Sequence, residues 1–238
     1  MICFLTSSTG MPDSNTLNPE NHFINELHHY FPKKCRALFI CSDPDSYEVT
    51  DFYASAMKSS FEDADFQFEN FKILDHRNSH LTKRLVNESD VIILAGGHVP
   101  TQNRFFHEIR LKEILKGYLG VIIGISAGSM NSADMVYAQP ELVGEAVNPT
   151  YQRFLNGLGL TKTMLLPHYE TVKNDVIDGF RAIEDIAFAD SMGKSFYAIP
   201  DGSYLFITSG KEELRGEAYK ISDGKIIQIA SHGEVVLL

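Results

Sequence analysis

Five short apolar runs stand out along the first half of the chain, each separated from the next by a stretch of helical periodicity. They are Met1–Thr6, Ala37–Cys41, Phe66–Leu74, Val91–Ala95 and Val121–Ile123. Such runs, bounded by turn residues, predict strands, and near-continuous hydrophobicity predicts strands buried on both faces. Between them, apolar residues recur three and four positions apart. Phe23, Ile24, Leu27, Tyr30 and Phe31 follow Pro19, which suits a first helical turn, and Pro32 ends the segment. Val49, Phe52, Tyr53, Ala56 and Met57 mark a helix to about Phe61, Leu81, Leu85 and Val86 a short one, and Phe105 to Leu115 a helix over about Gln102–Lys116. Ser7–Asn18, rich in Ser, Thr, Asn, Gly and Pro, reads as a long loop. Alternating strands and helices predict a mostly parallel sheet covered by helices on both faces, an α/β three-layer fold.

The second half changes character. Tyr137–Thr161 reads as irregular, Met164–Leu166 as a short strand and Asn174–Glu184 as a helix. Beyond it, Phe196–Ile199, Tyr204–Ile207, Gly216–Ile221, Ile226–Ile229 and Val235–Leu238 are short apolar runs. The turn pairs between them include Asp201-Gly202, Ser209-Gly210 and Asp223-Gly224, and Asp-Gly between apolar runs is a hairpin signal. The expectation is an antiparallel C-terminal extension on the edge of the parallel sheet, within one domain spanning residues 1–238.

Composition narrows the function. The 238 residues are 44% hydrophobic and 22% charged, with a formal net charge of −10, which speaks against a nucleic-acid or anionic-membrane partner. No apolar run approaches the ~20 residues of a membrane span, and the start lacks the basic segment of a signal peptide. The three cysteines, an odd number in or beside strands, suit reduced buried thiols and a cytoplasmic setting. No CxxC or HExxH encodes a metal site, and no GxGxxG a dinucleotide site, so neither metal nor cofactor is expected.

In parallel sheets, function collects where strands end. Two strand ends here are glycine-rich: Gly96-Gly97-His98 and Gly124-Ile125-Ser126-Ala127-Gly128. The latter has the G-x-S-x-G form of a nucleophile elbow, where a strand turns sharply into a helix and presents a serine hydroxyl at the tip. The plainer reading is a Gly-rich turn with Ser126 as helix N-cap. A serine nucleophile needs a base and an acceptor that orients it. Of nine histidines, His168 directly follows an apolar run and a proline, the end of a strand, and is the candidate base. The plainer reading there is a histidine capping the next helix. The acid is expected between Ser126 and His168, with Glu141 preferred over Glu145 and Asp134. Ala127 N–H and Gly97 N–H are the candidate oxyanion donors, and Gly96 and His98 the candidate substrate contacts.

Ala95-Gly96-Gly97, the Gly124–Gly128 elbow and Pro167-His168 together resemble the S51 serine peptidases, the group of peptidase E (aspartyl dipeptidase) and the cyanophycinases. The resemblance covers most of the first 185 residues. It implies a class I glutamine amidotransferase-like, flavodoxin-like fold, Ser126 as nucleophile, His168 as base and Glu141 as the matching acid. It also implies hydrolysis of short peptides, in peptidase E of dipeptides headed by an acidic residue. Two departures bear on substrate. His98-Val99 stands where those enzymes carry Asn-Thr in a substrate-contacting loop, and the long insertion that could grip a polymer is missing. Two other readings remain open: an esterase or amidase using the same elbow, for which His232 near the C-terminus would be the base, and a non-catalytic ligand-binding protein of the same fold.

Overall fold

The computed structural model describes residues 1–11 and 16–238. The part of the Ser7–Asn18 loop formed by residues 12–15 lies outside the described residues. The chain opens with β1 (Ile2–Thr6), α1 (Phe23–Tyr30), β2 (Cys35–Ile40), α2 (Tyr47–Asp63), β3 (Phe68–Leu74), α3 (Thr82–Asn87) and β4 (Val91–Leu94). It continues with α4 (Val99–Glu108), α5 (Leu111–Ile114), β5 (Val121–Ile125) and α6 (Ala127–Asn131). The helix expected over Gln102–Lys116 therefore starts earlier, on Val99 and Pro100, and breaks at Arg110, whose φ of 53° is left-handed.

Strands β1 to β5 form the parallel part of an eight-stranded sheet in which β1, β5, β4, β2 and β3 are neighbours in that order. Successive side chains of a strand point to opposite faces. Accordingly Cys3, Leu5, Leu38, Ile40, Ile92, Leu94 and Ile122 pack in one core with Leu85, Phe105, Ile109 and Leu111. Phe4, Phe39, Val91, Ile93, Val121 and Ile123 pack in another with Phe23, Leu27, Ala54 and Phe61. Helices α3, α4 and α5 thus cover one face, and α1 and α2 the other. The three-layer α/β arrangement follows from the apolar runs because each strand has two faces to bury. Cys3, Cys35 and Cys41 are buried free thiols within these cores. Among the described residues no helix is long and apolar enough to cross a membrane.

The second half comprises β6 (Met135–Tyr137), β7 (Phe154–Asn156), β8 (Met164–Leu166), α7 (Tyr169–Val172), β9 (Val176–Ile177), β10 (Phe180–Arg181), α8 (Phe188–Asp190), β11 (Ser195–Ala198), β12 (Tyr204–Thr208), β13 (Lys211–Arg215), β14 (Ala218–Ser222), β15 (Lys225–Ala230) and β16 (Val235–Leu237). Strands β12, β13 and β16 add to the main sheet antiparallel beside β1, as the C-terminal extension requires. The other C-terminal strands do something different. β15, β14, β11 and β8 form a separate four-stranded sheet, in which β11 and β8 run parallel. Its side chains Leu165, Ile199, Ala218 and Ala230 join the first core, while Leu166, Phe196, Ala198 and Ile221 pack with Tyr137, Ile183 and Ala187.

The helix expected over Asn174–Glu184 is not formed. Asp178 and Gly179 sit at φ 53° and 87°, the left-handed pair of a tight hairpin, and they join β9 to β10. A π-helical turn over Ala182–Ala187 follows. The segment Tyr137–Thr161 is likewise less irregular than its composition suggests, since β6 and β7 pair across it.

A chain of buried amides ties α4 to α6. Gln102 Nε2 donates to Ala95 O at 2.7 Å, and Asn131 Nδ2 donates to Gln102 Oε1 at 3.0 Å and to Val99 O at 3.2 Å. Asn103 Nδ2 donates to Asn131 Oδ1 at 2.9 Å. All three side chains are buried, so each lost partner would leave a polar atom out of reach of water. Asn131→Ala is therefore expected to lower stability by about 2–4 kcal/mol, read as a shifted urea midpoint at unchanged slope.

Candidate active site

The strand-to-helix junction after β5 bends sharply. Ser126 has φ 47° and ψ −109°, well outside the regions open to most residues. Surrounding contacts hold it there. Ser126 N–H donates to Thr6 O at 3.0 Å, Ser129 Oγ–H donates to the same oxygen at 2.7 Å, and Thr6 Oγ1–H donates to Gly124 O at 2.9 Å. Gly128 is required by close approach, because a Cβ there would lie 2.3 Å from Leu94 O on the neighbouring strand. The hydroxyl of Ser126 makes no cap hydrogen bond to α6. It points to His168 Nε2 at 2.9 Å.

His168 also has a left-handed backbone, φ 56°, and does not cap α7 with its side chain. Its main-chain N–H donates to Ser7 Oγ at 2.8 Å, and its Nδ1 faces Asp201 Oδ1 at 2.8 Å. With Asp201 ionised, Nδ1 carries the proton and donates, leaving the Nε2 lone pair toward the Ser126 hydroxyl. The Ser7 hydroxyl donates to the same Asp201 oxygen at 2.6 Å, and Asp201 N–H donates to Glu170 Oε2 at 3.2 Å.

The carboxylate on His168 is thus Asp201, and neither Glu141, Glu145 nor Asp134 takes that place. Glu145 Oε1 sits 2.8 Å from His98 Nε2, while its Oε2 accepts from the main-chain N–H groups of Glu141 and Leu142. Glu141 Oε1 accepts from Val99 N–H at 3.3 Å and lies 3.9 Å from His98 Nε2. Asp134 pairs with Lys112 at 2.9 Å. Both glutamates are thus engaged at the start of α4. The geometry follows from the second sheet. Parallel pairing of β8 with β11 matches Leu166 to Ala198, so the segments leaving both strands emerge side by side, one carrying His168 and the other Asp201. Asp201-Gly202 also reads as a hairpin signal, which masks it. A local signal was available: Leu165-Leu166-Pro167-His168 and Ala198-Ile199-Pro200-Asp201 share one pattern, two apolar residues, a proline and a polar group.

Electrostatics follow the contacts. Burial works against a charged His168, yet the hydrogen bond and charge of Asp201, with Glu170 and Glu141 nearby, outweigh it and raise its pKa above the ordinary histidine value. Burial also penalises the Asp201 carboxylate, but the His168 and Ser7 hydrogen bonds dominate and lower its pKa. Glu141 is raised, chiefly by burial. Glu145 is lowered, because the hydrogen bonds from Glu141 N–H, Leu142 N–H and His98 outweigh its burial.

Two recesses flank the Ser126–His168 pair, and Gly97 lines both. One, of about 110 Å³, is bounded by Met130, Gln139, Glu141, Val172, Asp175 and Ile177. The other, of about 560 Å³, runs over Phe39, Val49, Tyr53, Met57, Gly96 and Ile125. Gly97 has φ 146°, and a Cβ there would collide with Ser42 Oγ at 2.3 Å, so only glycine fits this wall. His98 lines neither recess. Its Nδ1 lies 2.8 Å from Thr101 Oγ1 and its Nε2 serves Glu145. His232, the base of the esterase reading, is not the histidine against Ser126. Among the described residues, the grouping with metal-ligand character is His168, Glu170 and Asp201, whose histidine is already engaged by Ser126 and Asp201.

A profile of peptidase family S51 matches residues 3–215. The chain belongs to peptidase family S51. It is similar in fold to the crystal structure of a peptidase from an acI-B1 Actinobacterium, with a TM-score of 0.70 at 14% identity over 100% of this chain and 96% of the other. It is also similar to the structure titled "Putative Peptidase E Protein" from Listeria monocytogenes EGD-e, with a TM-score of 0.55 at 19% identity over 95% and 96% of the two chains. No curated protein matches. Family membership makes this S51 chain a serine-type peptidase.

The His168–Asp201 contact predicts a titration. Asp201→Asn removes the carboxylate charge that favours the imidazolium and leaves only a neutral amide beside Nδ1, so the His168 midpoint, followed by NMR of the ring protons, should fall. A midpoint unmoved by that substitution would contradict the contact.

Proposed function

We propose that this S51 peptidase hydrolyses the amide bond of short peptides with Ser126 as nucleophile, His168 as general base and Asp201 as the residue that orients His168. The observation that carries the reading is the continuous line from Ser126 Oγ to His168 Nε2 at 2.9 Å and from His168 Nδ1 to Asp201 Oδ1 at 2.8 Å. His168 takes the hydroxyl proton as Ser126 attacks the carbonyl, and returns it to the departing amine. Water then repeats the cycle on the acyl-enzyme. Ala127 N–H, the residue after the nucleophile, and Gly97 N–H are the proposed oxyanion donors. The roles of base and nucleophile stay with the residues the motif points to, while Asp201 replaces Glu141 as the acid.

Short substrates suit the smaller recess, of roughly 110 Å³, on one side of Ser126. The resemblance also suggests an acidic residue at the head of a dipeptide. Among the described residues lining the two recesses there is no Lys or Arg to receive such a side chain, so we do not carry that preference over. Buried free thiols fit a reducing, cytoplasmic compartment.

Ser126→Ala should abolish turnover of a dipeptide panel. Asp201→Asn should lower kcat by on the order of 10³–10⁴, the size of effect expected when a serine triad loses its orienting carboxylate. Glu141→Gln should stay within tenfold of the parent. Equal losses from the Glu141 and Asp201 variants would undo the assignment of the acid. Because only neutral His168 can act as base, kcat/KM should rise with pH through a midpoint above the ordinary histidine value of about 6.5.

A further inference from the structure

The larger recess has a composition that the proposed reaction does not by itself require. Its large side chains are Phe39, Val49, Tyr53, Met57 and Ile125, with the small polar groups of Ser42, Ser46 and Thr50 between them, and it opens directly onto Ser126 and His168. Phe39 is buried, whereas Val49 and Tyr53 are 54% and 60% exposed along the α2 edge. Phe52, 68% exposed and in an edge-on contact with Tyr53, extends the apolar lip outward. Apolar side chains left open to water beside a reactive hydroxyl are covered when something apolar binds. The volume of about 560 Å³ lies within the range of small-ligand sites, roughly 300–1,000 Å³.

Charge points the same way. The carboxylate this recess adds to the catalytic pair is Asp43, which accepts Ser46 Oγ–H at 2.7 Å and Asp45 N–H at 3.3 Å. A substrate carboxylate placed here would lose water, meet no Lys or Arg and face Asp43. On the far side of Ser126 the smaller recess carries Glu141 and Asp175, which likewise disfavour a second anion.

Resting on the peptidase reading above, we propose that the recess formed by Phe39, Val49, Tyr53, Met57 and Ile125 is a specificity subsite for a large apolar or aromatic side chain next to the scissile bond, and that the enzyme discriminates against acidic residues there. Burial of such a side chain against this wall sets the preference, and the two exposed members of the lip, Val49 and Tyr53, tune it.

The test is kcat/KM of the full chain on two dipeptide series, X-Ala and Ala-X, with X as Ala, Leu, Phe, Asp or Lys. In one series Leu and Phe should exceed Ala by on the order of ten- to hundredfold, and Asp should fall below Ala. Val49 is half exposed, so Val49→Arg places a cation at the lip without disturbing a core. It should cut the Phe-to-Ala ratio at least tenfold and raise turnover of the Asp substrate. Asp equal to or better than Phe in both series, or a Phe-to-Ala ratio unmoved by Val49→Arg, overturns the subsite. In either case Ser126-dependent cleavage of any member leaves the peptidase reading standing. Absence of all peptide cleavage, with Ser126 unlabelled by a fluorophosphonate, overturns both.

Discussion

The site depends on how the end of β1 grips the elbow. The Thr6 carbonyl accepts from Ser126 N–H and from the Ser129 hydroxyl, and the Thr6 hydroxyl reaches Gly124 O. A non-glycine residue at φ 47° and ψ −109° costs on the order of 1–3 kcal/mol and persists only where neighbours over-determine it. Three hydrogen bonds from one residue, with α6 pressed against β4 at Gly128, provide that over-determination. The rest of the parallel sheet serves to bring β1, β5 and β4 into register so that these contacts can exist.

The same segment reaches across to the second sheet. Ser7 follows Thr6 directly, accepts from the main-chain N–H of His168 and donates to Asp201. One dipeptide therefore fixes Ser126 through Thr6 and both His168 and Asp201 through Ser7. The raised pKa of His168 and the lowered pKa of Asp201 belong to this arrangement, since both follow from the same hydrogen-bonded pair.

Much of this is legible in the sequence. Uninterrupted apolar runs such as Val91–Leu94 specify strands with two buried faces, and helical spacing between them specifies the cover, so the parallel layer follows from pattern alone. The elbow is legible because its glycines answer local sterics. The carboxylate that meets His168 is not legible in the same way. Asp201 reaches His168 through strand pairing between β8 and β11, residues far apart in sequence, and the pattern that Ala198–Asp201 shares with Leu165–His168 is overlaid by the hairpin signal of Asp201-Gly202. Glu141 and Glu145 lie at the expected place in the chain order, but their carboxylates are drawn to His98 and to main-chain N–H groups. The missing helix over Asn174–Glu184 has a local cause instead, since its apolar spacing is cut by Asp178-Gly179, the same kind of pair that marks hairpins elsewhere in this chain.

Ser126 follows a strand of one sheet, whereas His168 and Asp201 follow strands of the other. Thr6-Ser7 is the link between them, holding Ser126 on one side and His168 with Asp201 on the other. A change in the packing between the sheets, for example where Leu165 and Ile199 meet Leu205 and Ile207 in the shared core, would displace histidine and aspartate as a unit relative to the serine. The ion pair would survive while the proton path opened. In this protein, alignment of the hydroxyl with the imidazole is a property of how two layers are seated on each other.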